Sequence, residues 1–300
     1  MKKTPPKVSV CVVTYNQEKY IRQCLQSIVN QETNFDFEVI VGDDCSSDGT
    51  RAIILEFADR YPKLIVTVFH KKNIGAVGNY FATHALASGS YIAHVDGDDY
   101  MLPSKLQKQT DFLDVNPAYN IVWHRVRYEF HDGKQMDDLI DYEKIKEGYN
   151  REDLVRYTFL ANHSSKLYRA SQRKYCRSVA NTLDYFLNIE HLQNGRAAYI
   201  GAEILGVYRY GQGISTAPSL KYRHILLDRL LEMSENKVQD RPALNFAAFV
   251  LLISDICSRN NTFVKSCKLW IGTFSWSAIL NYRPGIKLRR MYAAPLNTFR

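Results

Sequence analysis

Tyr91-Ile92-Ala93-His94-Val95-Asp96-Gly97-Asp98-Asp99 decides how this chain is read: an apolar run of strand length ends in three carboxylates within four residues. Residues 91–95 have the character of a buried strand, and the acids follow with no spacer. Carboxylates this close repel one another unless a cation neutralises them. Oxygen ligands of this kind suit Mn²⁺ or Mg²⁺, which are held by one or two carboxylates together with substrate phosphates. A solvated acidic turn capping the next helix is the bland alternative, and direct attachment to a buried strand argues against it.

Upstream of this run, short apolar segments alternate with amphipathic ones. Residues 8–13, 37–41 and 64–69 read as strands, and 17–29, 50–60 and 75–87 as helices. This is the pattern of βαβ units, so the predicted fold class is α/β with a parallel, Rossmann-like sheet. Such a sheet binds its ligand at the carboxyl ends of its strands. The segments falling there are Thr14-Tyr15-Asn16, Gly42-Asp43-Asp44, His70-Lys71-Lys72-Asn73 and Asp96-Gly97-Asp98-Asp99. Ser46, Ser47 or Asp48 serves as a helix N-cap, which leaves Asp43 and Asp44 to accept from a base N–H or a ribose hydroxyl. Neither G-x-G-x-x-G nor G-x-x-x-x-G-K-[ST] occurs. Phosphate handling therefore falls to a metal, with Lys72 or nearby backbone as helpers.

The second half has a mixed pattern. Residues 103–115 read as a helix, 120–130 as a strand, and 131–150 as a polar loop, lid or insertion. Strand, helix, strand and strand follow at 159–168, 183–193, 197–200 and 204–210, and the chain is helical and increasingly basic from residue 219. The expected organisation is a parallel α/β half at 1–99, a mixed half at 100–215 and a basic helical extension at 216–300.

Four motifs in order carry a family resemblance: Val10-Cys11-Val12-Val13-Thr14-Tyr15-Asn16, Val39-Ile40-Val41-Gly42-Asp43-Asp44-Cys45-Ser46-Ser47-Asp48-Gly49-Thr50, Asn73-Ile74-Gly75 and Asp96-Gly97-Asp98-Asp99. Over residues 7–215 the chain resembles the inverting family 2 glycosyltransferases of GT-A fold, of the kind that builds bacterial surface polysaccharides. The resemblance implies a nucleotide-sugar donor, mostly UDP-linked, with 1–99 as the nucleotide-sugar-binding half and 100–215 as the acceptor-binding half. It implies that Thr14, Tyr15 and Glu18 line the nucleotide site, that Asp43 reads the base, and that Asn79 braces the crevice. Asp96, Gly97 and Asp98 become the D-x-D element holding ribose, metal and diphosphate, with Asp96 and Asp98 as metal ligands and Asp99 extending the element.

By the same resemblance the catalytic base lies at the head of the helix in Leu183-Asp184-Tyr185-Phe186, where relatives carry Glu-Asp or Gly-Asp. Asp184 takes that position, with Glu190 behind it. A carboxylate favoured by the helix dipole is the alternative reading of Asp184. His163 would face the diphosphate or acceptor unless it is simply structural. Relatives carry a His after the Tyr-Arg pair that matches Tyr208-Arg209; this chain has none, which leaves Arg209 as the basic candidate there.

Charge localises the remaining function. The chain has 300 residues with 39 Lys+Arg against 31 Asp+Glu. After Asp255 there is no acid and there are eight basic residues, so the net charge of +8 belongs to the tail. A neutral body argues against nucleic acid as a partner. A basic tail with Trp270, Phe274, Trp276 and Tyr282 suits an anionic membrane surface, an ordinary helical face or a dimer interface. Six cysteines without a C-x-x-C pair fit a reducing, cytoplasmic setting, and residues 1–6 lack the apolar region of a signal peptide. The charge-free stretches 242–254 and 269–282 are shorter than the ~20 residues a spanning helix needs. Sugar transfer to a glycan or lipid-linked saccharide is the expected activity. A nucleotidyltransferase, or a silent nucleotide-sugar-binding module, is the alternative; the former usually carries a Gly- and Arg/Lys-rich loop after the first strand, and residues 13–17 have none.

Overall fold

A computed structural model describes residues 5–158, 160–175, 182–211, 220–236, 238–276 and 278. The first half runs β1 (Val8–Thr14), α1 (Ile21–Val29), β2 (Phe37–Asp43), α2 (Thr50–Arg60), β3 (Ile65–Phe69), α3 (Gly75–Ala85) and β4 (Tyr91–Asp96). There follow β5 (Tyr100–Met101), α4 (Lys105–Val115), β6 (Tyr119–Glu129), β7 (Gln135–Asp137), α5 (Tyr142–Ile145), α6 (Arg151–Arg156), β8 (Leu167–Arg169), α7 (Asp184–Leu192) and β9 (Arg196–Arg209). Three helices, α8 (Leu220–Asn236), α9 (Arg241–Ser258) and α10 (Phe263–Gly272), complete the described elements.

Among the described residues the nine strands form one sheet ordered β3-β2-β1-β4-β8-β6-β9-β5, with β7 on β6. β3, β2, β1 and β4 are mutually parallel, as their continuous apolar runs predict. β8 pairs antiparallel with both β4 and β6 and turns the sheet into a mixed one. The chain groups into two compact units. One comprises Met1–Asp138, Tyr142–Gly148 and Ala161–Gly213; the other comprises Leu139–Asp141, Tyr149–Leu160 and Ile214–Arg300.

The first unit is built on strand alternation. Val10, Val12, Val39, Val41, Ala93 and Val95 face one side and pack with Ile21, Cys24, Leu25 and Ile28 of α1, all buried. The spacing of those four is i, i+3, i+4, i+7, the apolar stripe of a surface helix. The opposite residues of β4, namely Ile92, His94 and Asp96, point to the side that α3 covers. In the second unit Asp255, on α9, is 1% exposed. Burial pushes its carboxyl up, but hydrogen bonds from Ser266, Arg223, Asn260 and Thr262 outweigh that and hold it below the ordinary carboxylate range. The Arg223 Nε–Asp255 Oδ1 distance is 2.6 Å.

Two expectations are corrected. Residues 197–200 and 204–209 are not separate strands but parts of β9, which stays paired with β6 through register shifts near Trp123 and Arg125, and Tyr210 lies just past its end. Gly201, at φ +62, lets the strand bend without ending. The strand expected at 159–168 is confined to Leu167–Arg169, because His163–Ser165 forms a 3-10 turn; Phe159 lies outside the described residues. The span 131–150 also holds β7 and α5 within its loops. The tail positions Tyr282, Arg283, Lys287, Arg289, Arg290 and Arg300 lie outside the described residues, as do residues 212–219.

Candidate active site

Sheet register assembles the site. Thr14 is level with Asp43 on β2, and Val13 is level with Asp96 on β4. Three strand ends thus deliver their polar residues to one edge. Thr14 Oγ1 donates to Gln17 Oε1 at 2.7 Å. Tyr15 is 42% exposed beside them. Glu18 ties β1 to the next loop: its Oε2 accepts from Gly49 N at 2.9 Å and its own N–H donates to Asp48 Oδ2 at 3.1 Å. Asp43 is fully buried, and its carboxylate accepts from Arg51 Nε (2.5 Å), Ser46 N (3.1 Å) and the Ser46 hydroxyl. Asp44 accepts from Ile74 N at 2.7 Å. Asn79, also buried, donates to Gly42 O at 2.8 Å and accepts from the Thr83 hydroxyl at 3.2 Å, so it braces β2 against α3. Lys72 is exposed between β3 and α3.

The acidic turn is held by its backbone. Gly97 N donates to Val13 O, and Asp99 N to Asp96 O, both at 2.9 Å. A Cβ at Gly97 would lie 2.5 Å from Gln17 Oε1 and 2.9 Å from Thr14 Cβ, so only glycine fits there. Arg209, at the end of β9, is 7% exposed and lies beneath the turn. Its Nε donates to Glu129 (2.8 Å), its Nη1 to the carbonyl of Asp98 (2.5 Å) and its Nη2 to Gln23, while its backbone N donates to Asp99 Oδ1 (2.9 Å). The rings of Tyr20 and Tyr100 each lie 5.0 Å from the guanidinium carbon. Arg209 is thus a strut for the acids, with every guanidinium nitrogen engaged.

The acids carry the strain of their proximity. Burial pushes Asp96 up to about 6, and burial with the charge of Asp96 pushes Asp98 up to about 7. Burial followed by the charges of Asp98 and Asp96 raises Asp99 well above the ordinary range. Asp99 Oδ2 is buried with no hydrogen-bond partner among the described residues. An all-oxygen donor set, repelling itself and holding an unmatched acceptor, fits a hard divalent cation. Behind it Lys105, 1% exposed, donates to Ser164 O at 2.6 Å, and burial pushes its amine down to about 7.

Ser164, in the 163–165 turn, meets these acids. Ser164 Oγ accepts from Asp96 N at 3.0 Å and donates to Asp96 Oδ2 at 3.4 Å. Lys166, fully buried, places its ammonium 3.1 Å from both His163 Nε2 and Asn188 Oδ1. Asp184 opens α7, one turn before Asn188, and its Oδ1 accepts from Tyr185 N at 2.8 Å. Its carboxyl is raised by burial; the Tyr185 N–H and the Lys166 charge oppose the rise and the Asp96 charge adds to it. Glu190 lies further along α7.

His163 does not stand alone. Its ring stacks on His94 with centroids 3.9 Å apart, and burial holds its pKa well below the usual histidine value. One ligand atom each from His94, Asp96 and His163 fall within 4.8 Å of one another. That grouping suits a transition metal poorly, because the two rings are stacked and both nitrogens of His94 are engaged, with His84 at 3.0 Å and Asp96 at 3.2 Å. Sequence reasoning missed His84, His94, Ser164, Lys105 and Lys166. His94 carried a signal, as a polar residue inside an apolar strand; the two lysines carried none, since burial of a lysine leaves no trace in composition.

Comparison with known proteins places the chain in a family. The sequence model described as glycosyl transferase family 2 matches residues 9–174. An uncharacterized protein of Mycobacterium tuberculosis is 35% identical over 205 residues, which is 67% of this chain and 58% of that protein. The abequosyltransferase RfbV of Salmonella typhimurium is 24% identical over 268 residues, covering 84% of this chain and 76% of it. In structure, S. aureus TarS in complex with UDP-GlcNAc superposes with a TM-score of 0.63 at 20% identity, over 89% of this chain and 79% of that one. The mannosyltransferase PcManGT of Pyrobaculum calidifontis, with GDP-Man and Mn²⁺, gives 0.58 at 16% identity, over 97% and 85%. These likenesses establish the GT-A fold, and with more than half of its length matched by the family, the chain belongs to glycosyl transferase family 2.

Proposed function

We propose that this chain transfers a sugar from a UDP-linked donor to a hydroxyl of a glycan or lipid-linked saccharide, with inversion at the anomeric carbon, in the assembly of a cell-surface polysaccharide. The observation that carries the reading is the sheet register that brings Thr14, Asp43 and the Asp96–Asp99 turn together at the carboxyl ends of β1, β2 and β4. The named activities of relatives such as RfbV, and the UDP-GlcNAc bound by TarS, support the substrate class. Asp96 and Asp98 would hold Mn²⁺ or Mg²⁺, which supplies charge neutralisation for a departing diphosphate. Thr14, Tyr15, Glu18 and Asp43 form the nucleotide side of the crevice, Asn79 braces it, Lys72 helps with the phosphates, and His163 faces the diphosphate or acceptor. Arg209 and Asp99 act through the acidic turn.

Asp184 removes the acceptor proton. A raised pKa suits a general base, because the proton it takes is held more firmly as the acceptor oxygen attacks. The Lys166 charge opposes the desolvation of that carboxyl. A single base suffices for inversion, since no glycosyl-enzyme intermediate forms. Asp184→Asn should keep the thermal shift given by UDP-sugar with Mn²⁺ and lose transfer by about 10²–10⁴-fold. Full activity in that variant would remove Asp184 from the role.

The helical unit supplies a surface for the acceptor's membrane. Val264, Lys268 and Ile271 share one face of α10 at i, i+4, i+7, and Val264 and Ile271 are 74% and 67% exposed, with Trp276 at 80%. Apolar side chains among bases, with no acid after Asp255, suit the interface of an anionic bilayer. α9 is long and apolar enough to cross a membrane, at a mean hydropathy of 1.3, but half of it is buried within the fold. The whole chain should float with anionic vesicles and not with neutral ones; no flotation with either discards this part of the reading.

A further inference from the structure

We propose that Tyr168, His84 and His94 form a one-way hydrogen-bond chain that positions the Asp96 carboxylate for donor binding. Tyr168 OH lies 2.9 Å from His84 Nδ1, His84 Nε2 lies 3.0 Å from His94 Nδ1, and His94 Nε2 lies 3.2 Å from Asp96 Oδ1. Secondary structure creates the line. His94 and Asp96 are two apart on β4 and so share a face. Tyr168 stands opposite Ile92 on β8, on that same face, and α3 lays His84 over them.

The direction follows from donor and acceptor capacity. An ionised carboxylate only accepts, so the proton between Asp96 and His94 sits on His94 Nε2. His84 and His94 are 2% and 0% exposed and meet nitrogen to nitrogen at 3.0 Å, a contact with room for one proton, and a buried unpaired charge is costly, so each ring has one N–H. His94 Nδ1 must then accept, which puts the proton of His84 on Nε2. His84 Nδ1 must accept in turn, and the Tyr168 hydroxyl donates to it. Every donor points toward Asp96.

Stacking locks the rings in this order. Tyr80 covers His84 at 3.8 Å between centroids, His163 covers His94 at 3.9 Å, and His191 covers Tyr168 at 3.8 Å. A ring flip would require its neighbours to move with it. The other carboxylate oxygen of Asp96 accepts from Ser164 Oγ at 3.4 Å. Both oxygens are thus oriented from behind, while 34% of the side chain remains accessible for ligand. Tyr168, His84 and His94 are positioning residues, acting only through Asp96.

The functional half of this inference rests on the glycosyltransferase reading; the proton order does not. Nitrogen NMR of histidine-labelled whole protein without ligand should find both His84 and His94 as Nε2–H tautomers near neutral pH. A Nδ1–H tautomer at either ring overturns the chain. His84→Gln retains a donor and an acceptor, whereas His84→Leu fills the space and has neither. The chain predicts that Leu raises the donor KM by about tenfold, the scale of a lost hydrogen bond to a charged network, with kcat less affected, and that Gln stays near wild type. It also predicts that in His84→Leu the His94 signal loses its pure Nε2–H character. A packing role predicts the reverse order, with Leu tolerated better than Gln, and that result would refute the proposal. Nε2–H tautomers in a wild-type protein that binds no nucleotide sugar would support the chain and refute the donor reading.

Discussion

Binding of Mn²⁺ alone should depend steeply on pH, and the structure sets the size of the effect. With carboxyls at about 6 and about 7 on Asp96 and Asp98, both are ionised together in about nine-tenths of molecules at pH 8 and in about one in a hundred at pH 5.5. A cation binds the doubly ionised form, so its apparent affinity falls about a hundredfold between these pH values, or about 2.7 kcal/mol. The sign is fixed by the raised values. Both groups sit above their unfolded pKa, so the stability they contribute without a cation is complete below about pH 4 and is lost as pH rises through 6 to 7. A bound cation restores stability where the apoprotein has lost it. Isothermal titration with Mn²⁺ at pH 5.5, 6.5 and 8.0, with melting temperatures at each, should show affinity and stabilisation rising together. An affinity that varies by less than roughly threefold over that range would refute the reasoning, because a carboxylate pair at its ordinary pKa is ionised throughout.

Two substitutions test the frame around the acids. Arg209→Ala strands the Asp98 carbonyl, Gln23 and Glu129 around a buried gap, and should cost about 3–5 kcal/mol in urea unfolding; a loss below about 1 kcal/mol would mean that the guanidinium is no strut. Lys166→Met removes the cation that holds Asp184 and Asp96 down. The acid limb of the rate profile should then move to higher pH, and an unmoved limb would show that Lys166 does not tune the base.

How far the sequence carries can be read from particular residues. Buried parallel strands need continuous apolar runs, so β1 to β4 are legible in the sequence, and with them the crevice at their ends that receives Asp43, Asp96, Asp98 and Asp99. β9 was not legible as one strand: Gly201-Ala202-Glu203 interrupts its apolar pattern, and only pairing with β6 carries it across. β5 and β7, of two and three residues, are too short to have a period. Arg209 was visible as a base near the site but not as a strut, because its partners Glu129, Gln23 and Asp98 come from distant parts of the chain. The ordered histidines failed to register for the same reason. His84, His94, His163 and His191 are scattered in sequence, and only the pairing of β4 with β8 and the docking of α3 bring them into one stack.

The most direct measurement is a crystal of the protein grown with UDP and Mn²⁺, with anomalous scattering recorded at the manganese edge. The account predicts one strong peak bridging the diphosphate and the carboxylates of the turn at the end of β4, with Asp184 facing it across the crevice. Manganese bound elsewhere, or a nucleotide seated away from Asp96 and Asp98, would contradict it.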